Sequence, residues 1–209
     1  MSEKTFYLFR HGQTDWNKER RFQGHSNIPL NDLGRRQAAT LVNVFKNLDI
    51  KRVISSDLDR ARSTAQVLID HYGYDLHIDQ RLRETNMGEI EGKNGDDVAR
   101  LVGPDAIKVW KSHDPKTFDF RFPKGESKND VRKRAFESLI EYAEKYPDEN
   151  LAISAHGGVL RLLLTLTKNT PDSFIYIKNC GVYELHFNEK EDLWRSSFEN
   201  LNKDVEKLD

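Results

Sequence analysis

Two short apolar runs, Thr5 to Arg10 (TFYLFR) and Leu151 to Ser154 (LAIS), each lead into a histidine followed by glycine, at His11-Gly12 and at His156-Gly157-Gly158. A brief apolar run that stops at a polar, glycine-bearing turn reads as a buried strand with the histidine at its end. Between the two runs, Asn31 or Asp32 can cap a helix that turns Leu33, Ala38, Leu41, Val42, Phe45 and Leu48 inward. Arg52 to Ser56 reads as a second strand. Asp59 to Tyr72 follows as an amphipathic helix with Ala61, Ala65, Leu68 and Ile69 inward and Gly73 to end it, and Leu76 to Ile78 as a third strand. Strand, helix, strand, helix, strand is the order of a mostly parallel sheet covered by helices. The expected class is α/β: a three-layer α/β/α arrangement with a mostly parallel central sheet and helices on both faces.

The alternation lapses from Gly92 to Gly125, where Gly95, Gly103, Pro104, Pro115 and Pro123 break the chain into short pieces. This segment reads as a small inserted lid within a single domain of residues 1–209. Between Arg100 and Arg134 ten Lys/Arg stand against five Asp/Glu, a local excess able to draw an anion toward whatever the segment covers, or simply to form a solvated face. A longer helix is expected from Lys128 to Lys145, and the strand ending at His156 passes into the helix VLRLLLTLT. The tail reads as an antiparallel hairpin, with strands at Val182 to Phe187 and Leu193 to Phe198 and a turn at Asn188 to Asp192.

Composition narrows the function. Thirty-three Lys+Arg against 34 Asp+Glu leave a formal charge of -1, which excludes a global basic field for nucleic acid. No apolar run is long enough to span a bilayer, and the opening MSEKTFYLFR has no apolar secretory segment, so a cytoplasmic protein with no membrane partner is expected. The lone Cys180 allows neither an internal disulfide nor a cysteine-based zinc site.

Ligands of open α/β sheets bind beyond the carboxyl ends of the strands, where His11 and His156 fall. The glycines after them let backbone N–H groups approach an anion, and Gly157-Gly158 opens a helix with its positive end. Arg10 precedes the first histidine, and Arg60 starts the helix after the second strand, so two guanidinium forks suited to phosphate can reach one crevice. These parts point to phosphoryl transfer: His11 as nucleophile, with Arg10, Arg60 and a protonated His156 neutralising charge without a metal. A leaving alkoxide needs a proton, for which Glu84 is the candidate, with Asp57, Asp59, Glu89 and Glu91 competing by position. His25, His71, His77, His113 and His186 lack this context and read as surface or packing residues. Arg20, Arg21, Arg35 and Arg36 read as solvated charge.

Leu8-Phe9-Arg10-His11-Gly12-Gln13-Thr14 with Trp16-Asn17 resembles the signature of the histidine phosphatase superfamily, the phosphoglycerate mutase-like group. Arg21-Phe22-Gln23-Gly24, Pro29-Leu30 with Gly34 and Gln37-Ala38, and Ser55-Ser56-Asp57-Leu58-Asp59-Arg60-Ala61 with Thr64-Ala65 resemble its next blocks. Leu82-Arg83-Glu84, Gly88 with Glu91-Gly92, Gly125-Glu126-Ser127 and Ser154 to Val159 complete the series in order, to about residue 185. The resemblance implies a phosphoglycerate mutase-like fold, His11 as the phosphorylated nucleophile, Arg10, Arg60 and His156 as the phosphate pocket, and Glu84 as proton donor and acceptor. It adds Asn17, Gln23, Gly24 and Gly157 as substrate contacts, and it implies no metal and no cofactor. Asn27 stands where many members have Asp, and Ile90 where many have Trp.

The mutases of the group usually follow the acidic residue with Arg-His-Tyr-Gly, where this chain has Thr85-Asn86-Met87-Gly88. A mutase must also shield its phosphohistidine from water under a closed lid, and the insert here is short. The expectation is therefore a phosphomonoesterase acting on small phosphorylated metabolites, with a phosphoglycerate mutase interconverting 3- and 2-phosphoglycerate as the alternative and a homodimer allowed. Two other classes are weaker. A magnesium-dependent enzyme built on Asp57-Leu58-Asp59 lacks the usual residue at Ala61, and a module that only binds phosphorylated ligands has no use for both histidines and Glu84.

Overall fold

The computed structural model describes residues 4–165, 167, 175–188 and 193–208. Six strands form one sheet: β1 (Lys4–Arg10), β2 (Ile50–Ser55), β3 (Asp75–Ile78), β4 (Asn150–Ala155), β5 (Val182–Asn188) and β6 (Leu193–Ser197), in the spatial order β3-β2-β4-β1-β5-β6. The pairs β3·β2, β2·β4 and β4·β1 are parallel, while β5 runs antiparallel to β1 and β6 antiparallel to β5. The expected C-terminal hairpin is thus present, although most of its expected turn, residues 189–192, lies outside the described residues.

Side chains of successive β1 residues point to opposite faces, and this period sorts the core. Phe6 and Leu8 pack with α6 (Lys128–Lys145) and α7 (Gly157–Leu164), through Val131, Ala135, Leu139, Val159 and Leu160. Tyr7 and Phe9 pack on the other face with α2 (Asp32–Phe45) and α3 (Asp59–Tyr72), through Ala38, Leu41, Phe45, Ala65 and Leu68. Three layers follow, as expected from the sequence. Local signals set the helix limits, beginning with Thr14, which caps the single turn α1 (Asp15–Lys18). Asn31 Oδ1 accepts the Gly34 N–H to start α2, Gly73 ends α3 in the left-handed region at φ 70°, and a Ser127/Asp130 capping box starts α6. The helix after His156 begins at Gly157 and ends at Leu164, earlier at both ends than VLRLLLTLT.

The segment where the strand–helix alternation lapses contains two short helices, α4 (Gly95–Val102) and α5 (Pro104–Lys111). The residues read as breakers are helix starters here: Asn94 caps α4 through the Asp97 N–H, and Pro104 occupies the first turn of α5, where its missing N–H costs nothing. A small core of Met87, Ile90, Val98, Ala106 and Phe122 holds the segment together. No helix among the described residues is long and apolar enough to cross a membrane.

Phe45 is fully buried and meets the rings of Tyr7 and Phe9 edge-on at centroid distances of 6.3 and 5.5 Å. Truncation to alanine leaves a cavity, so Phe45→Ala is expected to lower unfolding free energy by about 3 to 5 kcal/mol in urea denaturation.

Candidate active site

Register decides which strand ends meet. Arg10 pairs with Ala155 and Ser55 with Ser154, so His11, His156 and Ser56 leave adjacent strands at the carboxyl ends of the parallel part of the sheet. The His11 N–H still bonds the Ala155 carbonyl at 3.1 Å, and the two imidazole centroids stand 5.2 Å apart. A cavity of about 670 Å³ opens beyond them. Its walls include Arg10, His11, Asn17, Gln23, Gly24, Arg60, Glu84 and Gly157, bringing together every expected site residue except His156, which is fully buried behind Arg60.

His11 Nδ1 lies 2.7 Å from the Gly12 carbonyl, which can only accept, so Nδ1 carries the proton and Nε2 keeps its lone pair. Burial, then the Arg60 and Arg10 charges, hold the His11 pKa well below the usual 6.5. The imidazole is therefore neutral, with an unprotonated nitrogen able to act as a nucleophile. The bond to Gly12 depends on a fixed loop: the Gly12 N–H donates to Thr64 Oγ1, and a Cβ on Gly12 would collide with the Gly34 backbone.

Arg60 enters the interior as a whole guanidinium. Nε donates to His156 Nδ1 at 3.2 Å, and the two terminal nitrogens donate to the Ser26 and Gly24 carbonyls at 2.8 Å each. Three of its five N–H groups are engaged in this way, and two remain for the cavity it lines. Burial lowers its pKa to about 10, which keeps it charged at neutral pH.

The expected protonated state of His156 is corrected by the same contacts. Arginine can only donate, so Nδ1 is the acceptor and Nε2–H donates to Ser56 Oγ at 2.9 Å. Burial and the Arg60 charge push its pKa well below 6.5. His156 is neutral and orients Arg60.

Arg10 donates through Nη1 to the Ile177 carbonyl, and its Nε is a buried donor without a partner among the described residues. Such groups are rare and costly, and this one faces the start of α7: a Cβ on Gly157 would lie 3.3 Å from it. Asn17 Oδ1 accepts from the Thr14 N–H and from Asn179, which leaves its amide nitrogen for the cavity. Gln23 Oε1 accepts from the Thr14 hydroxyl.

Glu84 accepts the Thr85 N–H on Oε1 and the Gly158 N–H on Oε2, seating its carboxylate at the α7 N-terminus. Its backbone carbonyl is held by Arg134 and His25, and Arg134 also grips the Arg81 and Arg83 carbonyls and Glu126. The competing acids are engaged elsewhere: Asp57 with Arg83, Asp59 with Asn27, Glu89 with Lys124, and Glu91 with the His25, Ser26 and Met87 N–H groups. Among the described residues, Glu84 is the carboxylate that lines the cavity.

Several contributors escaped the sequence reading. Ser56 was findable, since it follows a strand paired with that of His156. Asn179, whose amide donates to the His11 carbonyl at 2.9 Å, lies in an irregular stretch with no signal. His113, read as a surface or packing residue, and Arg21, read as solvated charge, both line the cavity.

Comparison with known proteins agrees with this geometry. The family model described as histidine phosphatase superfamily (branch 1) matches residues 6–200. The chain is 33% identical over 195 residues, 91% of its length and 87% of the other's, to a protein of Escherichia fergusonii named probable phosphoglycerate mutase GpmB. Among solved structures, YhfR of Bacillus stearothermophilus superposes with a TM-score of 0.83 at 30% identity, covering 93% of this chain and 95% of that one. A mycobacterial glucosyl-3-phosphoglycerate phosphatase in complex with VO3 gives 0.82 at 28% identity, covering 93% and 96%.

Two outcomes follow from the site. A Cβ on Gly158 would overlap Glu84 Oε1, so Gly158→Ala is expected to keep the fold and displace the carboxylate, lowering kcat by about 10²-fold in steady-state assays. His11 and His156 are neutral when folded, whereas each protonates near 6.5 when unfolded. The unfolded chain then binds more protons below that pH, so stability is complete above it and falls on acidification, by up to about 1.4 kcal/mol per pH unit for each ring. Thermal melts between about pH 7.5 and 5 are expected to show this loss, and His156→Asn to show a shallower one.

Proposed function

Since the chain belongs to the histidine phosphatase superfamily, branch 1, we propose that it is a metal-independent phosphomonoesterase that hydrolyses small phosphorylated metabolites through a phosphohistidine on His11. The observation that carries this reading is the pairing of a neutral His11, with Nε2 unprotonated, and a buried Arg10 Nε without a partner among the described residues. A nucleophile and an orphaned donor on one cavity wall match a dianionic phosphoryl group.

The phosphoryl oxygens are held by Arg10, Arg60, the Asn17 amide and the first turn of α7. His11 Nε2 attacks phosphorus as the ester P–O bond breaks, and Glu84 delivers a proton to the leaving oxygen. Water then attacks the P–N bond, losing its proton to Glu84, and phosphate leaves with His11 restored. The guanidinium groups balance the charge spread over the equatorial oxygens, with His156 and Ser56 fixing Arg60 rather than adding a cation. A cytoplasmic setting belongs to this reading and suits Cys180, whose thiol is fully buried with its pKa pushed up by burial.

A second reading, phosphoglycerate mutase, has in its favour the printed name of the Escherichia relative. Against it stands the segment after Glu84. Thr85 and Met87 line the cavity where the mutases of the group carry Arg and Tyr, and neither side chain brings a positive charge to a carboxylate.

His11→Ala is expected to lower phosphate release from p-nitrophenyl phosphate by at least about 10³-fold, measured in the presence of chelator, with circular dichroism unchanged. Glu84→Gln is expected to cut turnover of alkyl phosphates by about 10² to 10⁴-fold and of p-nitrophenyl phosphate far less, because a good leaving group needs no proton. Retained turnover in His11→Ala, or equal losses for both esters in Glu84→Gln, would contradict the assigned roles.

A further inference from the structure

His25 reads in the sequence as a surface or packing residue, yet it stands between the two loops that carry Arg60's acceptors and Glu84. Its neighbours Gly24 and Ser26 present the carbonyls that hold the Arg60 guanidinium, and its own N–H donates to Glu91 Oε1 at 2.8 Å. Its ring reaches the other loop, where Nε2 lies 2.9 Å from the Glu84 carbonyl. A carbonyl only accepts, so Nε2 carries a proton and donates.

The second donor to that carbonyl is Arg134, on α6. Its Nη2 donates to the Glu84 carbonyl and to Glu126 Oε2, both at 2.9 Å, and its Nε donates to Glu126 Oε1 at 3.0 Å. Nη1 donates to the Arg81 and Arg83 carbonyls. A guanidinium has five N–H groups, and these five acceptors take all of them, so none is left for a ligand. Glu126, which orients the fork, also accepts the Asn86 N–H at 2.8 Å. The chain on both sides of Glu84 is thereby tied to one carboxylate–guanidinium pair.

A backbone carbonyl has two lone pairs, and His25 and Arg134 occupy both at Glu84. The Glu84 carbonyl and the Thr85 N–H belong to one planar peptide unit, so holding the first fixes the direction of the second. That N–H donates to Glu84 Oε1 at 2.9 Å, while the Gly158 N–H donates to Oε2. We propose that His25 and Arg134 are positioning residues for Glu84, clamping the peptide plane whose N–H aims its carboxyl at the leaving oxygen. His25 acts from the loop that holds Arg60, so one side chain sets the proton donor against the phosphate clamp. This deepens the monoesterase reading and rests on its assignment of Glu84 as proton donor.

The test compares kcat/KM for n-butyl phosphate and p-nitrophenyl phosphate, since that quantity reports formation of the phosphohistidine, the step in which the leaving oxygen takes its proton. His25→Leu and Arg134→Lys are each expected to lower it about tenfold or more for the butyl ester and far less for the nitrophenyl ester, whose leaving group needs no proton. His25→Gln, whose amide nitrogen can donate in place of Nε2, is expected to restore the butyl rate. In a Glu84→Gln background, His25→Leu is expected to add no further loss. Equal losses for the two esters in His25→Leu, an undiminished butyl rate, or a loss that adds to that of Glu84→Gln would overturn the clamp. Glu84→Gln alone checks the parent reading. Equal losses there would remove Glu84 as proton donor and the clamp's role with it, whereas a leaving-group bias in Glu84→Gln that His25→Leu lacks would refute only the clamp.

Discussion

The guanidinium of Arg60 sits in the interior without a carboxylate partner among the described residues, held by an imidazole nitrogen and two backbone carbonyls. A buried charge so placed costs several kcal/mol unless its hydrogen bonds are met, and the surrounding structure is arranged to meet them. The Gly24 and Ser26 carbonyls must stand in one place, so Glu91 pins their loop through the His25 and Ser26 N–H groups. Asn27 completes the clamp, exchanging hydrogen bonds with Asp59 at the start of α3, the helix that carries Arg60. An amide serves here as donor and acceptor together, which the aspartate common in this superfamily cannot do when ionised.

The same interaction fixes the protonation pattern of the reacting groups. Because Arg60 donates to His156, that ring is neutral and its other nitrogen turns to Ser56. Burial, with both arginines charged beside His11, disfavours its protonated form and leaves Nε2 with its lone pair. Positive charge in the pocket is thus concentrated on groups that cannot lose it at neutral pH, and both imidazoles stay free of charge. This division of labour departs from the expectation of a cationic second histidine.

Much of the architecture was legible because its signals are local. Gly73 ends a helix where the sequence places the end, Asn31, one of the two caps offered with Asp32, starts another, and the helix expected from Lys128 to Lys145 spans those residues. The two His-Gly turns announced the site because a strand end is a place defined by sequence. What escaped was of two kinds. Residues 95 to 111 form helices although Gly95 and Pro104 read as breakers, since the same residue stops a helix from within and starts one from its first turn. That His113, Lys128 and Arg161 line one cavity wall depends on segments distant in the chain, which no neighbouring residue records. The charge state of His156 was likewise set by a contact with a residue distant in the chain.

The central claim is covalent: phosphorus bonds to His11 Nε2 during turnover. The direct measurement is to mix the protein with a phosphate ester, stop the reaction within its first turnover by denaturation in alkali, and map the bound phosphate by peptide mass spectrometry. The expected result is one phosphate on His11, stable in alkali and lost in mild acid. Phosphate on another residue, or none under conditions where product forms in a burst, would contradict the account.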